Sequence, residues 1–373
     1  MAKGEYAIID SKTRKIKKKY AIVDGKTRKI KKEYAVVDGK TRLVWSGEGL
    51  MYSIDATSFY KSNDGVNWTY VSTLPTIENT VYGSVIGNSI SYANNTIIIT
   101  VSNSSVGYVY SKDNGLTWTL TSNIYYDISR YHPNKIVAGN NIFVASAVND
   151  NYDVIGLYSY DGVNWTKFSP IASSTSKYIN DKTLDYVNGQ FIWYGNANSV
   201  YSTDGVTWTT FTSDVLKNVG AGYYIKTIYN NGRYINILVS SYGIRYTDGI
   251  TGSATSNTSI APMQDIVYFK DAIFAVAKTD SSGMGGISSM SYILKSTDNG
   301  TSFTQVFRTN NESNTNVGAG RGAFIYTKNI LYFKLEDGNY YYTTDGTTWT
   351  YVTASGNSSV KIKLTHVCYI DEI

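Results

Sequence analysis

Apolar residues in this chain fall in short runs, paired across small polar turns. Ile90-Ser-Tyr-Ala precedes Asn94-Asn95, and Thr-Ile-Ile-Ile99 follows. The same layout surrounds Asn188-Gly189, between Leu184 and Trp193, and Asn231-Gly232, between Ile228 and Ile235. It recurs around Asn329, between Phe324 and Phe333. Each predicts two strands joined by a tight turn. Closer to the N-terminus, Arg42-Leu-Val-Trp45 and Leu50-Met-Tyr-Ser53, around Gly47-Glu-Gly49, read as another such pair.

Downstream of each pair comes a turn of recurring composition. Ser62-Asn-Asp64-Gly65-Val-Asn-Trp68 returns as Ser111-Lys-Asp113-Asn-Gly115-Leu-Thr-Trp118, as Ser159-Tyr-Asp161-Gly162-Val-Asn-Trp165 and as Ser202-Thr-Asp204-Gly205-Val-Thr-Trp208. Tyr246-Thr-Asp248-Gly249 is a degenerate copy, and Ser296-Thr-Asp298-Asn-Gly300-Thr-Ser-Phe303 and Thr343-Thr-Asp345-Gly346-Thr-Thr-Trp349 complete the set. Successive aspartates lie 49, 48, 43, 44, 50 and 47 residues apart, the length of one four-stranded propeller blade. The carboxylate can accept backbone N–H bonds across the turn, Gly supplies positive φ, and Trp or Phe returns into the apolar layer between blades. Blade five lacks that aromatic anchor and is expected to be the least well packed. The fold class expected is all-β, a seven-bladed propeller over 43–359.

These turns resemble the Asp box, or bacterial neuraminidase repeat, of sialidase-like propellers, over most of residues 43–353. The resemblance implies structural aspartates, on turns between the third and fourth strands and on the face away from an active site. It also implies what a sialidase would need: an Arg triad, a Tyr–Glu nucleophile pair, an Asp acid/base and an Arg-Ile-Pro motif. No Arg-Ile-Pro occurs, and Arg42, Arg130, Arg233, Arg245, Arg308 and Arg321 form no recognisable motif.

Residues 1–42 carry a second repeat, of 14 residues, in three units beginning at Tyr6, Tyr20 and Tyr34 and containing Arg14, Arg28 and Arg42. Asp24-Gly25 and Asp38-Gly39, and more weakly Asp10-Ser11, predict a hairpin in each unit. A single hairpin is marginal in water, so the arm is expected to order against a partner or another copy of itself. Its basic strands read as a solvated face, as a docking surface for an acidic protein, or as a nucleic-acid contact; no aromatic stacking platform favours the last. The units resemble Tyr-Ala-Val-Val-Asp-Gly-Lys-Thr-Arg repeats near the N-termini of tail-associated proteins in phages and phage-tail-like particles of Gram-positive bacteria, Clostridia in particular. That resemblance implies a virion setting in the tail or baseplate region, with other virion proteins as partners and several copies of the chain in the particle.

Charge sharpens the division. Residues 1–42 hold 14 Lys+Arg against 5 Asp+Glu, a balance of +9, and the remainder is at −4. Tyr occurs 35 times and Gly 32 times among only 17% charged residues, which suits short strands and polar turns. One cysteine, Cys368, and two histidines, His132 and His366, leave no disulfide and no cysteine or histidine metal cluster, and no cofactor is expected. No secretory leader and no membrane-spanning run is visible, so assembly in the host cytoplasm is expected.

No carboxylate pair, phosphate loop or serine elbow stands out, so no enzyme activity is expected. Binding remains. The segment Asn123 to His132 reads as a loop on the face opposite the Asp boxes, where Tyr125, Tyr126, Arg130, Tyr131 and His132 could contact a cell-surface glycan or a protein; packing between blades is the competing reading. Thr279 to Met290 reads as a mobile insertion. The tail, 360–373, has strand character and could close the ring against the first blade or the arm.

Overall fold

The computed structural model describes residues 6–9, 12–15, 19–23, 26–30, 32–37, 40–46, 50–55, 57–63, 68–75, 87–101, 107–121, 124–126, 129–149, 154–168, 179–195, 199–211, 225–238, 244–249, 254–257, 263–278, 291–308, 324–326, 330–334, 340–352 and 366–370. Among these residues every regular element is a β-strand. Six antiparallel sheets follow chain order from inside to outside. Their ring-lining strands are Gly87–Ala93, Ser129–Gly139, Ile179–Val187, Ile225–Asn230, Met263–Phe269 and Phe324–Tyr326, with Ile124–Tyr126 added inside the start of Ser129–Gly139. The seventh is assembled from both ends of the domain: His366–Ile370 lies inside Leu50–Asp55, Ser58–Ser62 and Thr69–Thr73. Each ring-lining strand neighbours the next, and the circuit closes through His366–Ile370. The protein is a seven-bladed β-propeller.

Closure of the ring corrects one expectation. Arg42 to Trp45 is not the first strand of blade one; it belongs to Lys40–Ser46, which pairs back onto Lys32–Val37. The vacated inner position is taken by the C-terminal strand, with Ile370 opposite Leu50 and His366 opposite Ile54. Of the two partners open to the tail, blade one is the one observed.

Several first-to-second-strand turns are two-residue hairpins with both residues at positive φ, as the right-handed twist of the flanking strands favours. Asn94 and Asn95 lie at 46° and 58°, Asn188 and Gly189 at 52° and 77°, and Asn231 and Gly232 at 44° and 84°. Asn140-Asn141 and Lys270-Asp271 behave alike. Inner strands of blades two, three and six each carry a one-residue bulge, at Gly87/Ser89, Pro133/Lys135 and Met263/Asp265. Pro133 sits at its bulge, where a missing ladder donor is tolerated.

Seven apolar clusters fill the layers between consecutive blades. The layer between blades four and five buries Ile192, Tyr194, Phe211 and Tyr234, and that between blades seven and one buries Ile325, Ile330 and Tyr332.

The arm forms three separate two-stranded sheets with one register. Ala7 opposes Arg14, Ala21 opposes Arg28 and Ala35 opposes Arg42, while Ile9–Lys12, Val23–Lys26 and Val37–Lys40 bracket the two-residue turns. The turn residues themselves lie outside the described residues.

Candidate functional site

Each described Ser/Thr-x-Asp turn joins a blade's third and fourth strands and is wired in one way. Ser202 Oγ donates to Asp204 (2.9 Å) and accepts from Gly205 N–H (2.8 Å), while Asp204 accepts from Val206 and Thr207 N–H at 2.8 and 2.7 Å. Asp161 takes Val163 and Asn164 N–H at 2.9 and 2.8 Å, and Asp345 takes Thr347 and Thr348 N–H at 2.7 and 2.8 Å. Asp113 and Asp298, with one extra residue before glycine, accept from Thr117 and Ser302 N–H. For Asp161 and Asp298, desolvation works to raise the pKa, but these bonds outweigh it and hold both carboxyls at about 2. Asp113 and Asp204 shift downward for the same reason. At Asp345 the Thr348 and Thr347 N–H bonds lead the downward shift. Asp64 and Gly65 lie outside the described residues.

The glycines also allow blades to touch. A Cβ on Gly115 would stand 2.1 Å from the Phe59 ring of blade one, and one on Gly205 would stand 2.8 Å from Val144 of blade three. The aromatic anchors point into the preceding blade as well. Trp118 meets Phe59 edge-on at 5.0 Å and donates to Ser72 Oγ, and Trp165 meets Tyr108 at 5.8 Å and donates to its hydroxyl. Trp208 stacks on Phe168 at 5.5 Å, and Trp349 lies 6.4 Å from Phe274. Phe303 packs between blades five and six, and Trp68 against blade seven.

A second set of ties escapes sequence reading. Asn94 Nδ2 donates to Asn141 O (2.6 Å) and Tyr160 O (2.7 Å) of the next blade, and Asn140 Nδ2 repeats this with Gly189 O (3.0 Å) and Thr203 O (2.8 Å). Lys270 reaches Thr344 O in the same way. Nearer the axis, Ser91 donates to Ile136 O, Lys135 pairs with Asp185 at 3.0 Å, and Lys226 pairs with buried Asp265, which also accepts from Phe324 N–H at 2.7 Å. Asn94, Asn140 and Lys270 thus tie neighbouring blades at this face.

Blade five departs from the pattern. The strand register places Thr247 opposite Tyr234, as Ser202 lies opposite Phe191 and Ser159 opposite Phe143. Asp248 thus falls one residue early, and Gly249 occupies the aspartate's place. Asp248 pairs instead with Arg233 (2.8 Å), Gly249 N–H bonds to Gly232 O (2.8 Å), and the buried Thr247 hydroxyl has no partner. Tyr194, Thr227 and Asn236 form a buried web between blades four and five, with bonds of 2.5 to 2.6 Å.

The opposite face holds the other candidate. Asn123 to His132 is not an open loop: Ile124–Tyr126 pairs with the start of Ser129–Gly139, with Tyr125 opposite Arg130, and extends blade three to five strands. Tyr131 and His132 lie opposite Asn149 and Val148. The inner strand has 11 residues, about 33 Å at 3.3 Å per residue. Its far end meets the Asn140-Asn141 turn on the aspartate-turn face, so the hairpin tip stands on the other face. The arm leaves at the aspartate-turn face, because Leu50 opposes Ile370 and Met51 opposes Ser62, the first residue of blade one's turn. Arm and hairpin thus leave the ring on opposite faces. Thr279 to Met290 lies outside the described residues. Among the described residues no group of three or more His, Cys, Asp or Glu side chains could hold a metal ion.

The sequence matches no protein-family model and no curated protein. Among solved structures, the propeller is similar to a prolyl endopeptidase, with TM-score 0.53 and 8% identity over 82% of this chain and 50% of that one. The likeness is one of fold. BamB from Moraxella catarrhalis gives 0.48 and 8% identity, covering 91% of each chain, and YCF48 bound to D1 peptide gives 0.47 and 13%, covering 82% of this chain and 94% of that one.

Proposed function

We propose that this chain is a non-enzymatic structural component of a phage tail or phage-tail-like particle, present in several copies, with the arm docking and the propeller projecting or bridging as a binding module. The observation that carries the reading is the polarity of the ring: the basic arm leaves one face and the blade-three hairpin the other, so docking through the arm keeps the hairpin face open. Three hairpins of identical register, together with their resemblance to tail-associated repeats, favour an anchor over a solvated strand. The wiring of Asp113, Asp161, Asp204, Asp298 and Asp345 favours kinship with Asp-box propellers and argues against a catalytic use of those carboxylates. Electron microscopy of particles assembled with a chain lacking residues 1–42 tests the reading. Loss of propeller density is expected, and density in its normal position would refute the arm as anchor.

A second reading follows from the five-stranded blade: the hairpin from Ile124 recognises cell-surface glycans. A glycan array probed with the full chain and with Tyr131→Ala should show binding that the substitution abolishes; no signal from the full chain would exclude it.

A further inference from the structure

The outermost strands follow a rule of their own. Two residues beyond each turn aromatic, the fourth strand carries an exposed side chain at the rim. In blades three, four and six that position holds Lys167, Thr210 and Gln305. In blades seven, one and two it holds Tyr351, Tyr70 and Leu120, which are 43%, 53% and 38% exposed. These three blades are consecutive around the ring, and the middle one, blade one, contains the closure seam. Scattered apolar residues on a surface need no explanation, but the same position turned apolar in three adjoining blades makes an arc.

Two features mark the arc as a contact surface. Tyr70 and Tyr351 are braced from the third strand by cross-strand partners, Tyr60 at 5.9 Å and Tyr341 at 4.9 Å, so their rings are ordered before anything binds. Blade one, at the middle of the arc, also follows the arm directly, the last arm strand ending at Ser46, four positions before Leu50. Leu50–Asp55 lies two positions inside the rim, about 10 Å at the usual strand spacing. A partner held by the arm is thereby brought against Tyr70 and its neighbours.

We infer that the arm and the outer rim of blades seven, one and two form one composite docking surface for a single protein partner, acidic where it meets the arm and apolar where it meets Tyr351, Tyr70 and Leu120. The inference rests on the arm-docking reading. The arm's +9 balance supplies long-range attraction and a fast encounter, while the aromatic arc fixes orientation and slows release.

The test uses particles assembled in cells that make the full chain or its variants, with occupancy measured by quantitative mass spectrometry. A Tyr70→Ser, Leu120→Ser, Tyr351→Ser triple variant should lower occupancy about tenfold, as loss of interface aromatics does. The matched Lys167→Ser, Thr210→Ser, Gln305→Ser triple should leave it unchanged. Thermal melting of each purified variant verifies folding, and Tyr70→Lys alone replaces the triple if that one melts early. Full occupancy by the rim triple, with loss on deletion of 1–42, overturns this inference and leaves arm docking intact. Absence of the wild-type chain from particles overturns both. If light scattering of the free chain shows a dimer that the rim triple abolishes, the occupant is a second copy, and the acidic partner is refuted.

Discussion

The junction between blades three and four and the one between blades four and five solve one packing problem with different chemistry. In the first, Trp208 lies on Phe168, Gly205 lets the turn press against Val144, and Asn140 ties two carbonyls of the next blade. In the second there is no tryptophan and no aspartate in place. Tyr194 and Phe211 stack at 6.5 Å, and a buried hydroxyl–amide web with Thr227 and Asn236 holds the layer. The turn motif is thus a convenience for closing a blade rather than a requirement. What the two junctions share is an apolar layer held beside a polar tie.

Four measurements of the urea unfolding midpoint would break or sharpen that contrast. The largest effect is expected from Asp265→Ala, which strands Lys226 and the Phe324 N–H and should cost about 3–5 kcal/mol, as loss of one member of a buried ion pair does. A loss under 1 kcal/mol would show that the inner belt is decorative. Trp165→Ala follows at about 3 kcal/mol, from the cavity beside Tyr108 and the lost Nε1–H bond. The third comparison sets one structural position against itself. Ser202→Ala should cost about 1 kcal/mol, whereas Thr247→Val, which removes a buried hydroxyl with no partner, should be neutral or stabilising. Equal losses in the two would mean that blade five's turn is wired like the rest.

The smallest effect is a pH dependence. Folded Asp161 and Asp298 sit at about 2, below the unfolded aspartate value of about 3.9. Their contribution is therefore complete above about pH 4 and is lost as pH falls through about 2. The midpoint should drop across that window, and Asp161→Asn should flatten the drop. A midpoint independent of pH between 4 and 2 would contradict the hydrogen-bonded turns.

Blade number and turn position were legible because each turn announces itself within seven or eight residues and the spacing repeats. The seam was not legible: Arg42 to Trp45 has the pattern of an inner strand, and nothing local says that His366 will compete for that edge. Blade five was misread by one residue, since Thr-Asp-Gly spells the motif while the pairing of Tyr234 with Thr247 shifts it out of place. Asn94 was legible as a turn former, but neither it nor Asn140 as a blade-to-blade tie, because the carbonyls their amides reach lie 47 to 66 residues away. The hairpin at Ile124 was hidden by its tyrosines, which suit strand and contact loop alike. The rim arc needed the blades aligned in space before its three positions became one.

The seam has a consequence for biogenesis. Leu50–Asp55 leaves the ribosome early, yet its inner neighbour is synthesised more than three hundred residues later. At roughly 5–20 residues per second, blade one waits tens of seconds with a bare hydrogen-bonding edge while six blades are translated. Over that interval a nascent chain is a ready acceptor for the terminal strand of a neighbour on the same messenger. Codon pace and chaperone cover between blades one and seven should therefore decide how much of the product is monomer and how much is strand-exchanged.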